Sequence, residues 1–105
     1  ACMMVKKEVY LAVGGMTEAL AVAFNDVDFC LKVRRAGWLV VYEPYARAYH
    51  YESKSRGLEN TPEKLERFHG EMRLFRERWR DILEQGDPYY NPNLTLHRAD
   101  YSMDI

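Results

Sequence analysis

The spacing of apolar residues is most regular in the second half of the chain. Six of them recur there at alternating intervals of three and four residues: Leu65, Phe68, Met72, Phe75, Trp79 and Ile82. This spacing places them in one stripe along a helix. Thr61 followed by Pro62 is a favourable start, since threonine caps a first turn and proline suits the first helical position. The pattern predicts a long helix over 63–85 that ends at Gly86. The apolar stripe of this helix must pack against other apolar residues.

A second helix is predicted over 26–36 by its end signals. Asn25 stands where a helix-capping residue belongs, acidic Asp26 and Asp28 lie in the first turn, and basic residues fill the last turn before Gly37. Negative charge near a helix N-terminus and positive charge near its C-terminus are both stabilising.

The other apolar runs are too short for helices of this kind. Residues 1–5, 38–42 and 46–51 are rich in β-branched, aromatic or other apolar residues, and we predict a short strand in each. The segment 87–105 is rich in turn-forming residues and is predicted to be irregular. Together the segments predict an α/β fold class: a motif-bearing part over 1–60, the long helix within 61–86, and a tail.

Composition limits the possible partners. The 105 residues carry a formal net charge of -1 with mixed signs throughout, so the chain lacks the basic surface that binds nucleic acid or an anionic membrane. No apolar run approaches the roughly 20 residues of a membrane span. We therefore expect a cytoplasmic protein. Its full-length form is expected either to be free in the cytoplasm or to bind peripherally to the inner membrane. Because the chain begins at Ala1 with an apolar run, we expect a fragment.

The two acids of the 26–36 helix are predicted to differ in environment. Helical geometry places Asp26 on the face that carries three apolar residues: Phe29, Cys30 and Val33. Asp28 aligns instead with Lys32 and Arg35, which predicts an ordinary surface ion pair. Asp26 is thus a candidate functional carboxylate, although a carboxylate in a first helical turn is also stabilised by the backbone whatever its role.

His50 is a candidate metal ligand. It ends a predicted strand and precedes a polar loop that includes Ser55 and Arg56. A neutral imidazole binds divalent metals well, and an arginine can hold a phosphate through two hydrogen bonds. The alternative is a structural histidine beside a solvated loop.

Four motifs follow one another along the chain: VGGMTE at 13–18, FNDVDFCLKVRRAGWLVVYEP at 24–44, AYHYESKSRG at 48–57 and DPYYNPNL at 87–94. In this order they resemble segments of the family 2 glycosyltransferases that build bacterial surface polysaccharides. The resemblance covers nearly the whole chain. It implies an inverting GT-A (Rossmann-like) fold in which this chain is the acceptor-side, C-terminal part and the nucleotide-sugar half precedes it.

The resemblance also implies roles for individual residues. Asp26 matches the general base that removes a proton from the acceptor hydroxyl, although the family often has Glu-Asp where this chain has Asn25-Asp26. Gly14, Gly15 and Glu18 match a loop beside the donor sugar and the acceptor. The implied partners are a nucleotide-sugar donor and a glycan or lipid-linked acceptor.

A divalent metal, Mg²⁺ or Mn²⁺, is implied as well. His50 matches a histidine that helps to bind this metal, and Ser55 with Arg56 matches a loop that closes over the diphosphate. The family's Asp-x-Asp metal motif is missing, since the one such pattern here, at residues 26–28, lies on the predicted helix. The chelating pair is therefore expected upstream of Ala1.

Two further expectations follow from uncovered apolar surface. A fragment that lacks its donor half is expected to be inactive alone and to self-associate, through part of the 65–79 stripe or through the strand that begins at Cys2. The alternative to an enzyme is a non-catalytic module that binds a partner protein through the 63–85 helix.

Overall fold

The computed structural model describes residues 2–51 and 61–104. Four helices follow one another in these residues: α1 at Lys7–Ala12, α2 at Asn25–Arg35, α3 at Pro62–Arg78 and α4 at Arg80–Gln85. The predicted 26–36 helix is confirmed to within one residue at each end. The tail includes a small antiparallel turn, because Leu94 and Met103 form a β-bridge and Thr95 N–H donates to the Ser102 carbonyl at 2.8 Å.

The predicted long helix forms in two pieces. Thr61 caps α3 as expected, its side-chain oxygen accepting a hydrogen bond from Lys64 N–H at 3.2 Å, and Pro62 opens the first turn. Trp79 then leaves helical geometry, with φ of -116° and ψ of 25°, and α4 starts at the next residue. The break falls where the Trp79 indole donates a hydrogen bond to α2.

The apolar stripe of α3 and α4 is partly covered within the chain. Phe75 and Trp79 pack with Leu20 in a buried cluster, against which Phe24 and Leu31 also pack. Leu65, at the start of the stripe, stays 43% exposed. Of the six residues of the stripe, the chain itself buries Phe75 and Trp79. The interaction-module alternative stays a prediction, with less apolar surface on this helix than the sequence suggested.

A second cluster lies on the other side of α2. Phe29 and Val33 pack there against Val9 of α1, with Val13 and Met16 at the margin. Helix α2 therefore lies between two apolar clusters and positions the loop that connects α1 to it.

None of the three predicted strands is assigned as a strand among the described residues 2–5, 38–42 and 46–51. A strand exists through hydrogen bonds to a neighbouring strand, and the described part of the chain offers these segments no such neighbour. Their apolar side chains are largely in solvent: Val41 is 79% exposed and Met4 is 98% exposed. The expected self-association stays a prediction. The apolar side chains most exposed for it lie in these three segments rather than on α3.

Candidate functional site

Asp28 is the most deeply buried charged side chain among the described residues, at 0% exposure. Its Oδ2 accepts a hydrogen bond from the Thr17 hydroxyl at 2.6 Å, and its Oδ1 accepts from Arg78 Nε at 3.0 Å and Trp79 Nε1 at 2.7 Å. The prediction of a surface ion pair is therefore wrong. Arg35 pairs with Asp81 of α4 instead, at 3.0 Å, and Lys32 comes only to 4.0 Å from Asp28.

The environment of Asp28 keeps its carboxylate ionised. Burial alone would raise the pKa of Asp28, but hydrogen bonds from Thr17 and Trp79 and the positive charge of Arg78 outweigh burial, so the pKa is lowered. Both oxygens already accept hydrogen bonds from the protein. A carboxylate held in this way is suited to fixing its neighbours and poorly suited to taking a proton from a substrate.

Asp26, two residues earlier, lies at the margin of the fold. It is half-buried, and its Oδ1 accepts a hydrogen bond from Val27 N–H at 2.8 Å. Burial, and after it the negative charge of Asp26, raise the pKa of the Cys30 thiol, which lies one helical turn further along α2. Asp26 lies in the first turn of α2, where the helix N-terminus favours its negative charge.

The glycine loop is fastened to α2. Gly14 and Gly15 have φ of 81° and 67°, a conformation that favours glycine, and a Cβ on Gly15 would lie 3.0 Å from the Tyr10 ring. The Gly15 carbonyl accepts a hydrogen bond from Lys32 Nζ at 2.6 Å. With the Thr17 bond to Asp28, this contact holds residues 14–17 against the first two turns of α2. Glu18 follows as an exposed residue.

A second buried acid holds the entry to α2. Glu71 of α3 is 5% exposed and accepts hydrogen bonds from Val22 N–H at 3.2 Å and Ala23 N–H at 2.7 Å. Phe24 then takes a left-handed conformation, with φ of 62°, and stacks on Phe75 with ring centroids 5.2 Å apart. The turn before Asp26 is thus fixed by contacts with α3.

Of the remaining predicted site residues, only His50 lies within the described residues. His50 is exposed, in a segment without regular secondary structure. Ser55 and Arg56 lie outside the described residues. Within residues 2–51 and 61–104, no group of three or more His, Cys, Asp or Glu side chains could hold a metal ion. No helix in the same ranges is long and apolar enough to cross a membrane.

Sequence reasoning missed three residues of this group: Asp28, Glu71 and Thr17. Their contacts join positions 11, 48 to 49 and 50 to 51 residues apart. A usable signal was present for Glu71, since it stands next to Met72 of the apolar stripe and three residues after Phe68. An acid beside an apolar stripe is a candidate for a buried, hydrogen-bonded carboxylate.

Proteins similar to this chain add a separate line of information. The chain is 51% identical over 102 residues to the uncharacterized protein y4gI of Sinorhizobium fredii, a match that covers 96% of the chain and 11% of that protein. It is 36% identical over 101 residues to the O-antigen biosynthesis protein RfbC of Myxococcus xanthus, covering 95% of the chain and 8% of that protein. The chain therefore spans about a tenth of the length of these relatives.

Part of the chain is also similar to a protein whose name states an enzymatic activity. Over 56 residues the chain is 36% identical to the N-acetylglucosaminyl-diphospho-decaprenol L-rhamnosyltransferase of Mycobacterium tuberculosis, which covers 53% of the chain and 18% of that protein. Relatives of this chain thus include a sugar transferase. No protein-family model matches the chain, and no solved structure is significantly similar to it.

Proposed function

We propose that this chain is the acceptor-side part of a GT-A, inverting nucleotide-sugar glycosyltransferase of family 2 that acts in bacterial surface polysaccharide synthesis. The similarity to an O-antigen biosynthesis protein and to a rhamnosyltransferase supports sugar transfer as the activity. The order of the four sequence motifs supports the family and the mechanism.

One structural observation carries the assignment of the base. Asp26 is a half-buried carboxylate in the first turn of a helix whose neighbouring residue positions are fixed by buried contacts with α3. A general base must be held on a rigid element and yet remain within reach of its substrate. Of the two acids in this turn, only Asp26 meets both conditions, because Asp28 is fully buried.

In the proposed reaction Asp26 takes the proton of an acceptor hydroxyl. The acceptor oxygen then forms its bond to the anomeric carbon of the donor sugar. The bond between that carbon and the nucleoside diphosphate oxygen breaks on the opposite face, and its electron pair leaves with the diphosphate. Attack from the face opposite the leaving group inverts the configuration at the anomeric carbon.

The test is sugar transfer by the full-length protein and its Asp26→Asn variant. A panel of nucleoside diphosphate sugars would be supplied, each with N-acetylglucosaminyl-diphospho-decaprenol as acceptor, and nucleoside diphosphate release would be followed. Asp26→Asn should lower kcat at least about a hundredfold, the low end for loss of a general base. Asp100→Asn is the matched control, since the exposed Asp100 also accepts a hydrogen bond from a nearby backbone N–H.

Two results would count against this function. Near-normal turnover by Asp26→Asn would remove Asp26 from the role of base. A wild-type protein that transfers no sugar from any donor of the panel would contradict the proposed activity itself.

The proposal includes Mg²⁺ or Mn²⁺ held mainly by an Asp-x-Asp pair upstream of this chain, with His50 as one candidate ligand. Such an ion would neutralise charge on the departing diphosphate. In the full-length protein, His50→Ala should weaken binding of Mn²⁺ and of a nucleoside diphosphate together, whereas His97→Ala, in the tail, should not. Unchanged Mn²⁺ affinity in the first variant would leave His50 a structural residue.

A further inference from the structure

The carboxylate of Asp28 joins three parts of the chain at one point. It receives hydrogen bonds from Thr17 in the glycine loop, from Arg78 at the end of α3 and from Trp79 between α3 and α4. It is fully buried, although Asp26 in the same helical turn is not. No contact with solvent or substrate is open to it, so any influence on chemistry must pass through the groups that it holds.

The bond to Thr17 is the contact that links this point to the proposed site. Thr17 lies two residues after Gly15, whose carbonyl is held by Lys32 one turn further along α2. The loop is therefore fastened to the helix that carries Asp26 through two side chains. Asp26 and Asp28 lie in the same helical turn, and a helix keeps a fixed distance between such residues. Fastening the loop to Asp28 therefore also sets the distance between the loop and Asp26.

We propose that Asp28, acting through Thr17, is a positioning residue that holds the glycine loop at a set distance from the base Asp26. This inference rests on the proposed function, in which the loop lies beside the donor sugar and the acceptor. It adds a role for two residues that the motif resemblance does not assign.

The physical reason is the geometry that transfer requires. A base and its acceptor hydroxyl must approach to about 3 Å with the anomeric carbon in line, and a displacement of about 1 Å can cost roughly a hundredfold in rate. If the loop contacts the sugars and moves relative to α2, the acceptor hydroxyl is displaced from the base, although every reacting group is still present. Loss of the Thr17 bond should therefore reduce turnover more than it reduces donor binding.

The experiment compares two hydrogen-bonded threonines in the full-length protein. Thr17→Val removes the hydroxyl that donates to Asp28, and Thr95→Val removes the hydroxyl that accepts from His97 N–H at 3.0 Å in the tail. The assay uses the donor panel with N-acetylglucosaminyl-diphospho-decaprenol, at a temperature where both variants are folded by circular dichroism. Hydrogen exchange of the amides in residues 13–23 would be measured on the same samples.

For Thr17→Val we expect kcat to fall about tenfold, the donor KM to change less than about twofold, and exchange in residues 13–23 to rise. For Thr95→Val we expect kcat within about twofold of the wild type and unchanged exchange in that segment. Equal kcat in the two variants, with an active wild type, would overturn the positioning role while leaving the proposed function standing. A wild type without transfer would instead overturn the proposed function, and this inference with it.

Asp28 itself provides a second comparison. In Asp28→Asn the amide oxygen can still accept from Arg78 and Trp79, and the amide nitrogen can donate to the Thr17 oxygen, because a hydroxyl both donates and accepts. Asp28→Ala removes all three contacts. A positioning role predicts that the folded asparagine variant retains at least about tenfold more kcat than the folded alanine variant. Equal kcat in both would contradict it.

Discussion

The first turn of α2 presents two aspartates in opposite surroundings. Asp28 is fully buried and receives hydrogen bonds from three side chains outside α2, whereas Asp26 is half-buried and accepts one from the adjacent backbone N–H. The difference arises from what packs on each side of the helix. Helix α3 and Trp79 close over the Asp28 side, while the Asp26 side carries the Cys30 face.

The two neighbouring carboxylates therefore suit different roles, one structural and one chemical. A fully hydrogen-bonded, buried acid stabilises the arrangement of the elements around it, whereas a half-buried acid such as Asp26 stays accessible to a substrate. Burial alone would have indicated Asp28 as the functional residue. The saturation of its oxygens by protein donors argues for the opposite assignment.

The largest expected effect on stability is that of Asp28→Ala. Removing the carboxylate leaves the indole N–H of Trp79 and the guanidinium of Arg78 without their acceptor, and should lower the free energy of unfolding by about 3 kcal/mol. Urea denaturation of the 105-residue chain measures it. Asp26→Ala is the control on the other side of the turn, and a similar loss in both variants would erase the distinction between the two sides.

Glu71→Gln should have the next largest effect. A glutamine can accept from only one of the N–H groups of Val22 and Ala23 and turns a donor toward the other, which should cost about 2 kcal/mol. The same substitution at Glu66, an exposed residue of α3, should change stability by less than about 0.5 kcal/mol. If Glu71→Gln proved as mild as Glu66→Gln, the buried clamp on the entry to α2 would be refuted.

The contribution of Asp28 should depend on pH. Because its pKa is lower in the folded protein than in the unfolded chain, its stabilisation is fully present above the unfolded value of about 4 and is lost as pH falls through the folded value. The charged groups facing it are Arg78, at 3.0 Å, and Lys32, at 4.0 Å. Hence the stability gap between the wild type and Asp28→Asn should narrow as pH falls from about 5 toward 2.

Urea titrations of both proteins at several pH values measure this gap. Other acids titrate in both proteins, so their effects cancel in the difference. A gap that stays constant, or that widens toward low pH, would show that the ionised form of Asp28 is not the stabilising one.

Asp26→Asn should have the smallest effect on stability. The asparagine oxygen can still accept the hydrogen bond from Val27 N–H, so the free energy of unfolding should stay within about 0.5 kcal/mol of the wild type. A loss above about 2 kcal/mol would mean that Asp26 is structural, and that a loss of turnover in this variant could not be assigned to chemistry.

The sequence by itself determined the local features of this protein. Thr61 and Pro62 start α3, Gly37 follows the end of α2, and the three-and-four spacing includes Phe75 and Trp79, which are buried. Each of these signals acts within a few residues, through backbone capping, allowed φ values or helical periodicity. The pairing of Asp26 with the Cys30 face could be predicted for the same reason.

Only the tertiary structure decided which carboxylates are buried and which segments lack a neighbour. The periodicity of α2 offers Asp28 the partners Lys32 and Arg35, but Trp79, 51 residues away, supplies the stronger bond once α3 packs on that side. Residues 38–42 have the composition of a strand, yet a strand also needs a hydrogen-bonding neighbour, which the described residues do not provide. Contacts between distant residues depend on how whole elements pack, and local patterns carry no information about that packing.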